Sequence, residues 1–209
     1  MRLATPALFV AILLVSLPAN VVFAATDGCV HGKPCYGTVT DDHLNGTNGG
    51  DEIHARGGRD FVDARSGSDF VHGGVGADGD EYASGGLFGD SPKMSTNSVR
   101  DGDDRLFDED GRDVLYGFGG SDVPVGGGEA DYVSAGEFRT RMGRPGVATS
   151  KNPGVDIVSA GAGGDHIEAI DRRRDIIDCG GGKDAVWFDE GLDVISPDCE
   201  VRNFIYGGG

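Results

Sequence analysis

The sequence predicts an all-β protein: a right-handed parallel β-roll, or β-solenoid, of nine-residue repeats with disulfide-closed ends. Three observations carry this. Aspartate returns every nine residues, an apolar side chain follows it by two, and glycine usually precedes it by two. Nine residues are too many for a β-hairpin unit and too few for a helical hairpin. They suit one half-coil of a roll, a tight turn plus a very short strand.

The aspartates fall in four runs. The first is Asp42, Asp51, Asp60, Asp69 and Asp78; the second is Asp104, Asp113, Asp122 and Asp131. Asp156 and Asp165 form a third, and Asp175, Asp184 and Asp193 a fourth, one residue out of step. The apolar residues two positions on are Leu44, Ile53, Val62, Val71, Leu106, Leu115, Val133, Val158, Ile167, Ile177, Val186 and Ile195. Asp80 and Pro124 break that rule. One inward side chain per short strand is what a thin roll buries, and glycine in the turn admits the left-handed conformations that other residues resist.

These units resemble the repeats-in-toxin family, whose hemolysin-type calcium-binding repeat reads G-G-x-G-x-D-x-U-x. Gly73-Gly74-Val75-Gly76-Ala77-Asp78 and Gly180-Gly181-Gly182-Lys183-Asp184-Ala185-Val186 match best, and Gly117-Phe118-Gly119-Gly120-Ser121-Asp122 matches in part. The resemblance covers residues 40–136 and 154–196. The segment from Asp175 through Cys179 to Asp198-Cys199-Glu200 is similar to the closing segment of small exported bacterial repeat proteins of this type. The resemblance implies a roll filled with calcium ions lying between stacked turns. Two turns depart from the pattern. Glu129 stands where glycine would precede Asp131, and Ile170-Asp171-Arg172-Arg173-Arg174 before Asp175 has no glycine, so metal is less expected there.

Arg2, the nearly apolar run Leu3 to Phe23 and the small-residue site Val22-Phe23-Ala24 read as a secretory signal over residues 1–24. Pro6, Pro18 and Asn20 speak against a retained anchor, and no other stretch is apolar and long enough to span a bilayer. The expected organisation is therefore a signal peptide at 1–24 and an N-terminal cap with a cysteine pair at 25–40. A calcium-binding roll follows at 41–200, with inserted loops near 79–101 and 137–153, then a tail at 201–209. The expected location is secreted, extracellular or at the cell surface.

Composition bounds the rest. Thirty-five acidic against 18 basic residues give a net charge of −17, which argues against nucleic acid as a partner. The apolar share is 38% with the first segment included, and the 38 glycines make folding entropically costly. Such a chain reads as disordered unless a cation supplies the missing stability. Four cysteines in an exported chain point to disulfides, and Cys29–Cys35 and Cys179–Cys199 are the local pairings. The paired short spacings of a Cys₄ zinc site do not occur.

With two units per coil, turns eighteen residues apart stack on one edge, about 4.8 Å apart. The expected same-edge pairs are Asp42/Asp60, Asp51/Asp69, Asp60/Asp78, Asp104/Asp122, Asp113/Asp131 and Asp175/Asp193. The shifted pairs Asp156/Asp175 and Asp165/Asp184 complete the set. Two charges that close repel by about 1 kcal/mol in water and about 4 kcal/mol at an effective dielectric of 20. Calcium, which takes six to eight oxygen ligands, reverses that sign. Turn preference alone would mix aspartate with asparagine and serine, yet all fourteen units carry aspartate. All fourteen are candidate calcium ligands, for several Ca²⁺ ions.

His54 and His72, eighteen apart, are expected to be exposed strand histidines; the alternative is that they stack on one sheet surface and bind a transition metal. No nucleophile elbow, H-E-x-x-H or EF-hand loop occurs, so the chain is not expected to be an enzyme. The function expected is calcium binding by a secreted β-roll with a structural or adhesive role. Arg139, Arg141, Arg144 and Lys151 are expected to form a solvated loop that offsets nearby acid; the alternative reading makes them a contact for an anionic partner, a cell-surface polymer or extracellular matrix. The rivals are a polysaccharide-active enzyme on a β-helical scaffold and a surface- or ice-binding solenoid. The latter needs a threonine ladder, which the positions flanking the apolar residue do not supply.

Overall fold

The computed structural model describes residues 28–79, 86–90, 102–135 and 154–205. The expected signal segment, most of both inserted loops with their basic residues, and the end of the tail lie outside the described residues. The strands run β1 Cys35–Tyr36, β2 His43–Asn45, β3 Glu52–Gly57, β4 Phe61–Asp63, β5 Phe70–Val75 and β6 Gly86–Phe88. Then come β7 Arg105–Phe107, β8 Val114–Tyr116, β9 Val123–Gly128, β10 Tyr132–Ser134, β11 Ile157–Gly163 and β12 His166–Ala169. β13 Ile176–Asp178, β14 Gly181–Gly182, β15 Ala185–Asp189, β16 Val194–Ile195 and β17 Val201–Ile205 complete them.

Each unit is too short to pair with itself, so its backbone groups are satisfied by the coil above and the coil below. All strand pairings are parallel. Successive strands alternate between two sheets. One has the order β1-β3-β5-β7-β9-β11-β13-β16, with β14 beside β11; the other is β2-β4-β6-β8-β10-β12-β15-β17. This is a parallel β-roll. Register advances by one coil per strand: Leu44 pairs with Val62 and Ile53 with Val71. Where the chain is interrupted the step lengthens, and Val71 pairs with Leu106 while Val133 pairs with Ile167.

The apolar residue two after each aspartate fills the interior. Leu44, Ile53, Val62, Val71, Leu106, Leu115, Val133, Val158, Ile167, Ile177 and Val186 are all fully buried, and Ile195 packs against them at the end. The two exceptions in the sequence resolve differently. After Asp78 the next described strand is β6, which falls inside the stretch expected to be a loop. Leu87 then fills the inner position between Val62 and Leu115, and is fully buried. Pro124 keeps its place, buried and paired with Leu106. Proline has no N–H for the ladder, and the paired register of β9 with β11 begins beyond it, at Val125 and Ser159.

A second inner column lies four residues after each aspartate, where the chain enters the turn. It holds small residues: Ala55, Ala64, Ala135, Ala160 and Ala169 are buried there, with Gly37, Gly46, Gly117 and Gly126 in the same place. The next aspartate folds its carboxyl into this space. A Cβ added to Gly126 would lie 2.6 Å from Asp131 Oδ2.

Turn glycines answer to backbone crowding. Gly120 has φ +112°, and an added Cβ would collide with the Gly102 carbonyl of the coil before it. Glu129 occupies the same position before Asp131 and adopts φ 74° itself. The missing glycine therefore changes strain, at about 1–2 kcal/mol, and not the path of the turn.

Outward side chains stack into aromatic columns. On one sheet Tyr36, His54, His72 and Phe107 follow one another with ring centroids 5.2, 5.5 and 5.5 Å apart. On the other, Phe61, Phe88, Tyr116, Tyr132, His166 and Trp187 stack at 4.2–5.6 Å. Each such pair adds about 0.5–1.5 kcal/mol beyond its buried area.

Both ends are closed by disulfides, Cys29–Cys35 and Cys179–Cys199. The first spans the open mouth of the roll. Cys29 donates its N–H to Asn45 O at the end of β2, while Cys35 lies in β1 of the other sheet. The second sits in the small inner column, with Cys179 and Cys199 both buried in the main core.

Two predictions follow from this packing. Leu87→Ala should cost about 2–5 kcal/mol, as a buried leucine does, and should match Leu115→Ala in denaturant unfolding. A loss under about 1 kcal/mol would remove Leu87 from the core. Reducing Cys179–Cys199, which closes a span of 20 residues, should forfeit about 3 kcal/mol in the chain-entropy model. A Cys179→Ala/Cys199→Ala variant with an unchanged melting temperature would refute that.

Candidate metal centre

The turns place the aspartates in two ladders, one along each edge of the roll. In each, an aspartate donates its backbone N–H to the carboxylate of the next coil. One ladder runs Asp42 to Asp60, Asp60 to Asp78, Asp78 to Asp113, Asp113 to Asp131, Asp131 to Asp165 and Asp165 to Asp184. These are N–H to Oδ1 bonds of 2.7–3.0 Å. The other runs Asp51 to Asp69, Asp104, Asp122, Asp156, Asp175 and Asp193, at 2.8–2.9 Å. The aspartate carbonyls are used too; Asp42 O, for example, accepts the Phe61 N–H at 2.9 Å.

All fourteen aspartates singled out by their spacing therefore stand on the ladders. Thirteen are buried and Asp193 is partly so. Every same-edge pair expected from the sequence is adjacent. The insertions hide four more from a simple count: Asp69/Asp104, Asp78/Asp113, Asp122/Asp156 and Asp131/Asp165. Glu200 ends the first ladder, accepting the Asp184 N–H at 2.9 Å through Oε2. It lies only sixteen residues on and lacks the apolar residue two later, so the repeat gave no signal for it.

One carboxylate oxygen of each ladder aspartate after Asp42 and Asp51 is thus held by the backbone of the coil before it. The other varies. At the first turns Asp42 Oδ2 accepts the Thr38 N–H and Asp51 Oδ2 the Thr47 N–H; at the last, Asp193 Oδ2 accepts the Asp189 N–H at 2.7 Å. Between them, Oδ2 of Asp60, Asp69, Asp78, Asp113, Asp122, Asp131, Asp165, Asp175 and Asp184 is buried with no hydrogen-bond partner. A buried carboxylate oxygen without a partner costs several kcal/mol unless the group is neutralised or binds a cation. These oxygens, stacked beside turn carbonyls, form a donor set of hard oxygen ligands, which suits calcium.

Burial raises the ladder carboxyls that follow, and neighbouring carboxylates add to it. Asp113 and Asp193 are pushed up to about 6, Asp60, Asp78 and Asp156 to about 7, and Asp69, Asp131 and Asp175 to about 8. Asp122, flanked by Asp104 and Asp156, reaches about 10. In most of them the hydrogen bond from the neighbouring backbone N–H partly offsets burial.

Four buried carboxylates lie off the nine-residue register: Asp90, Asp108, Asp171 and Asp189. Two of them join ladder pairs. Asp108 meets Asp78 and Asp113, and Asp171 meets Asp156 and Asp175, with one carboxylate oxygen from each residue within 4.8 Å of the others. The glycine-free turn before Asp175 thus brings in a carboxylate where glycine would stand. Asp198 approaches Cys179 and Cys199 in the same way, but their sulfurs are joined as a disulfide.

The raised values fix a pH dependence. Without a cation, the folded aspartates keep protons that the unfolded chain releases above about 4. Stability is then greatest at acid pH and falls from about pH 4 until it passes the folded values near 6–8. In chelator, β-sheet circular dichroism should strengthen as pH is lowered from 8 to 5. A signal that weakens over that interval would contradict the burial of these groups.

Among comparisons with known proteins, the family model described as RTX calcium-binding nonapeptide repeat (4 copies) matches residues 36–71, 45–80 and 100–133. No curated protein and no solved structure matches the chain. The coils at 154–196 lie outside the matched segments yet continue the same ladders. The segments 36–80 and 100–133 are therefore similar to RTX calcium-binding nonapeptide repeats.

Proposed function

We propose that this protein binds several calcium ions along its two aspartate ladders, and that calcium makes its fold stable. The observation that carries this is the row of buried Oδ2 atoms without partners, one coil apart along both edges. The residues that would hold the ions are Asp42, Asp51, Asp60, Asp69, Asp78, Asp104, Asp113, Asp122, Asp131, Asp156, Asp165, Asp175, Asp184 and Asp193. Bound calcium supplies positive charge to a low-dielectric edge lined with carboxylates. Magnesium suits the sites poorly, because it demands a small octahedron and keeps its waters.

The role that fits is that of an exported structural or adhesive protein. The leading segment 1–24 reads as a secretory signal, and two disulfides suit an oxidising compartment. Calcium at extracellular levels then acts as the folding signal, since extracellular modules bind at about 10⁻⁴–10⁻³ M. The basic cluster Arg139, Arg141, Arg144 and Lys151 is the contact proposed for an anionic surface polymer.

Aspartate and asparagine separate the two duties of each ladder position. Asp60→Asn keeps an oxygen to accept the Asp42 N–H but loses the carboxylate charge; Asp60→Ala loses both. At pH 7.5 the protein should be largely coil in chelator and β in millimolar calcium, with magnesium a poor substitute. Calorimetry should give a lower calcium stoichiometry for both variants, with the alanine variant also the less stable. A wild-type spectrum that is folded in chelator and unmoved by calcium would sink the proposal.

A further inference from the structure

The inner column beside the turns is reserved for small residues, and Asp108 breaks it. Its strand register places it between Gly73 on the preceding coil and Gly126 on the next. A Cβ on Gly73 would lie 2.5–2.7 Å from the Asp108 carboxyl, so the carboxyl occupies the space that glycine leaves. Asp108 is 4% exposed. Its Oδ1 accepts the Glu109 N–H at 3.1 Å, and its Oδ2 has no partner.

That carboxyl is directed at a ladder pair. Asp108 offers an oxygen within 4.8 Å of oxygens from Asp78 and Asp113. Oδ1 of Asp78 and of Asp113 is already engaged by a neighbouring N–H, while Oδ2 of both is buried and without a partner. The charges acting on Asp108 are those of Asp78, Asp113 and Asp131, all acidic. Three buried carboxylates with open oxygens converge where the other described turns that lead into this ladder bring ladder carboxylates alone. At Asp171 one oxygen likewise accepts a backbone N–H, from Arg173, but neither its second oxygen nor Oδ2 of Asp156 is among the buried oxygens without a partner.

We infer that Asp78, Asp108 and Asp113 form a three-carboxylate calcium site, distinct in composition from the repeat sites, that fills before them. This rests on the proposal that the ladders bind calcium. Ligand charge is a principal means of tuning calcium affinity, and a third carboxylate gives this site more than its neighbours. It lies beside the longest break in the first ladder, the 35-residue step from Asp78 to Asp113. An ion here ties together the two coils that the insertion separates.

The test is a calcium titration of the full protein by calorimetry, comparing wild type with Asp108→Ala and Asp108→Asn. Alanine is what Ala55, Ala64 and Ala160 place in this column, so that variant should fold. Asparagine keeps the shape should alanine leave a gap. Wild type should show one tight ion ahead of a weaker class. Both variants should lose it, or weaken it by about tenfold or more, with the weaker class unchanged. Variants that titrate like wild type would overturn the inference and leave the ladder proposal standing. A wild type that takes up no calcium would overturn both.

Discussion

The fold depends on one unusual bond, the backbone N–H of an aspartate held by the carboxylate of the next coil. It joins coils along both edges in bonds of 2.7–3.0 Å, with every aspartate carboxyl but one buried. A backbone N–H of a tight turn has no strand partner and would otherwise be an unsatisfied donor. The carboxylate supplies the acceptor, but brings a charge and a second oxygen into a place without water. A cation that ties those second oxygens together turns the liability into a crosslink between coils. Stability and ion binding are therefore one property of this chain.

That interaction dictates the economy of the rest. Because the carboxyl folds under the end of each strand, the residue there is usually alanine or glycine, as at Ala55, Ala160 and Gly126. The interior is then only one large side chain thick, from Leu44 through Leu115 to Val186. A core so thin buries too little to fold a glycine-rich chain of net charge −17. The aromatic columns outside the sheets add apolar surface where the interior has no room. Phe88, Tyr116 and Phe118 are buried there although they face away from the main core.

The coiling unit, the direction of its side chains and the disulfide pairs were legible in the sequence. Each rests on a strictly local rule: aspartate accepts, the residue two on points inward, and nearby cysteines pair. What was not legible lay where the count of nine fails. Leu87 was hidden because it pairs with Val62 across 25 residues, outside the count of nine. Of the aromatic columns only the spacing of His54 and His72 stood out in the sequence; their partner Phe107 lies beyond the same insertion. Asp108 and Asp171 lie off the count of nine, and only the stacking of coils distant in sequence brings them to Asp78 and Asp156.

Glycine at the turn and aspartate at the ladder differ in how far they can be replaced. Glu129 shows that a residue with a side chain can take the left-handed turn at the cost of strain. All fourteen ladder positions carry aspartate and none asparagine, although asparagine would accept the same N–H. The backbone alone does not explain that exclusion, because its demand ends with one oxygen. The second oxygen does, since an amide NH₂ in its place would be a buried donor facing carbonyls and carboxylates arranged to receive a positive ion. The sequence is thus uniform where charge must meet a cation and variable where only geometry is at stake, which is the pattern expected of a scaffold built around its ions.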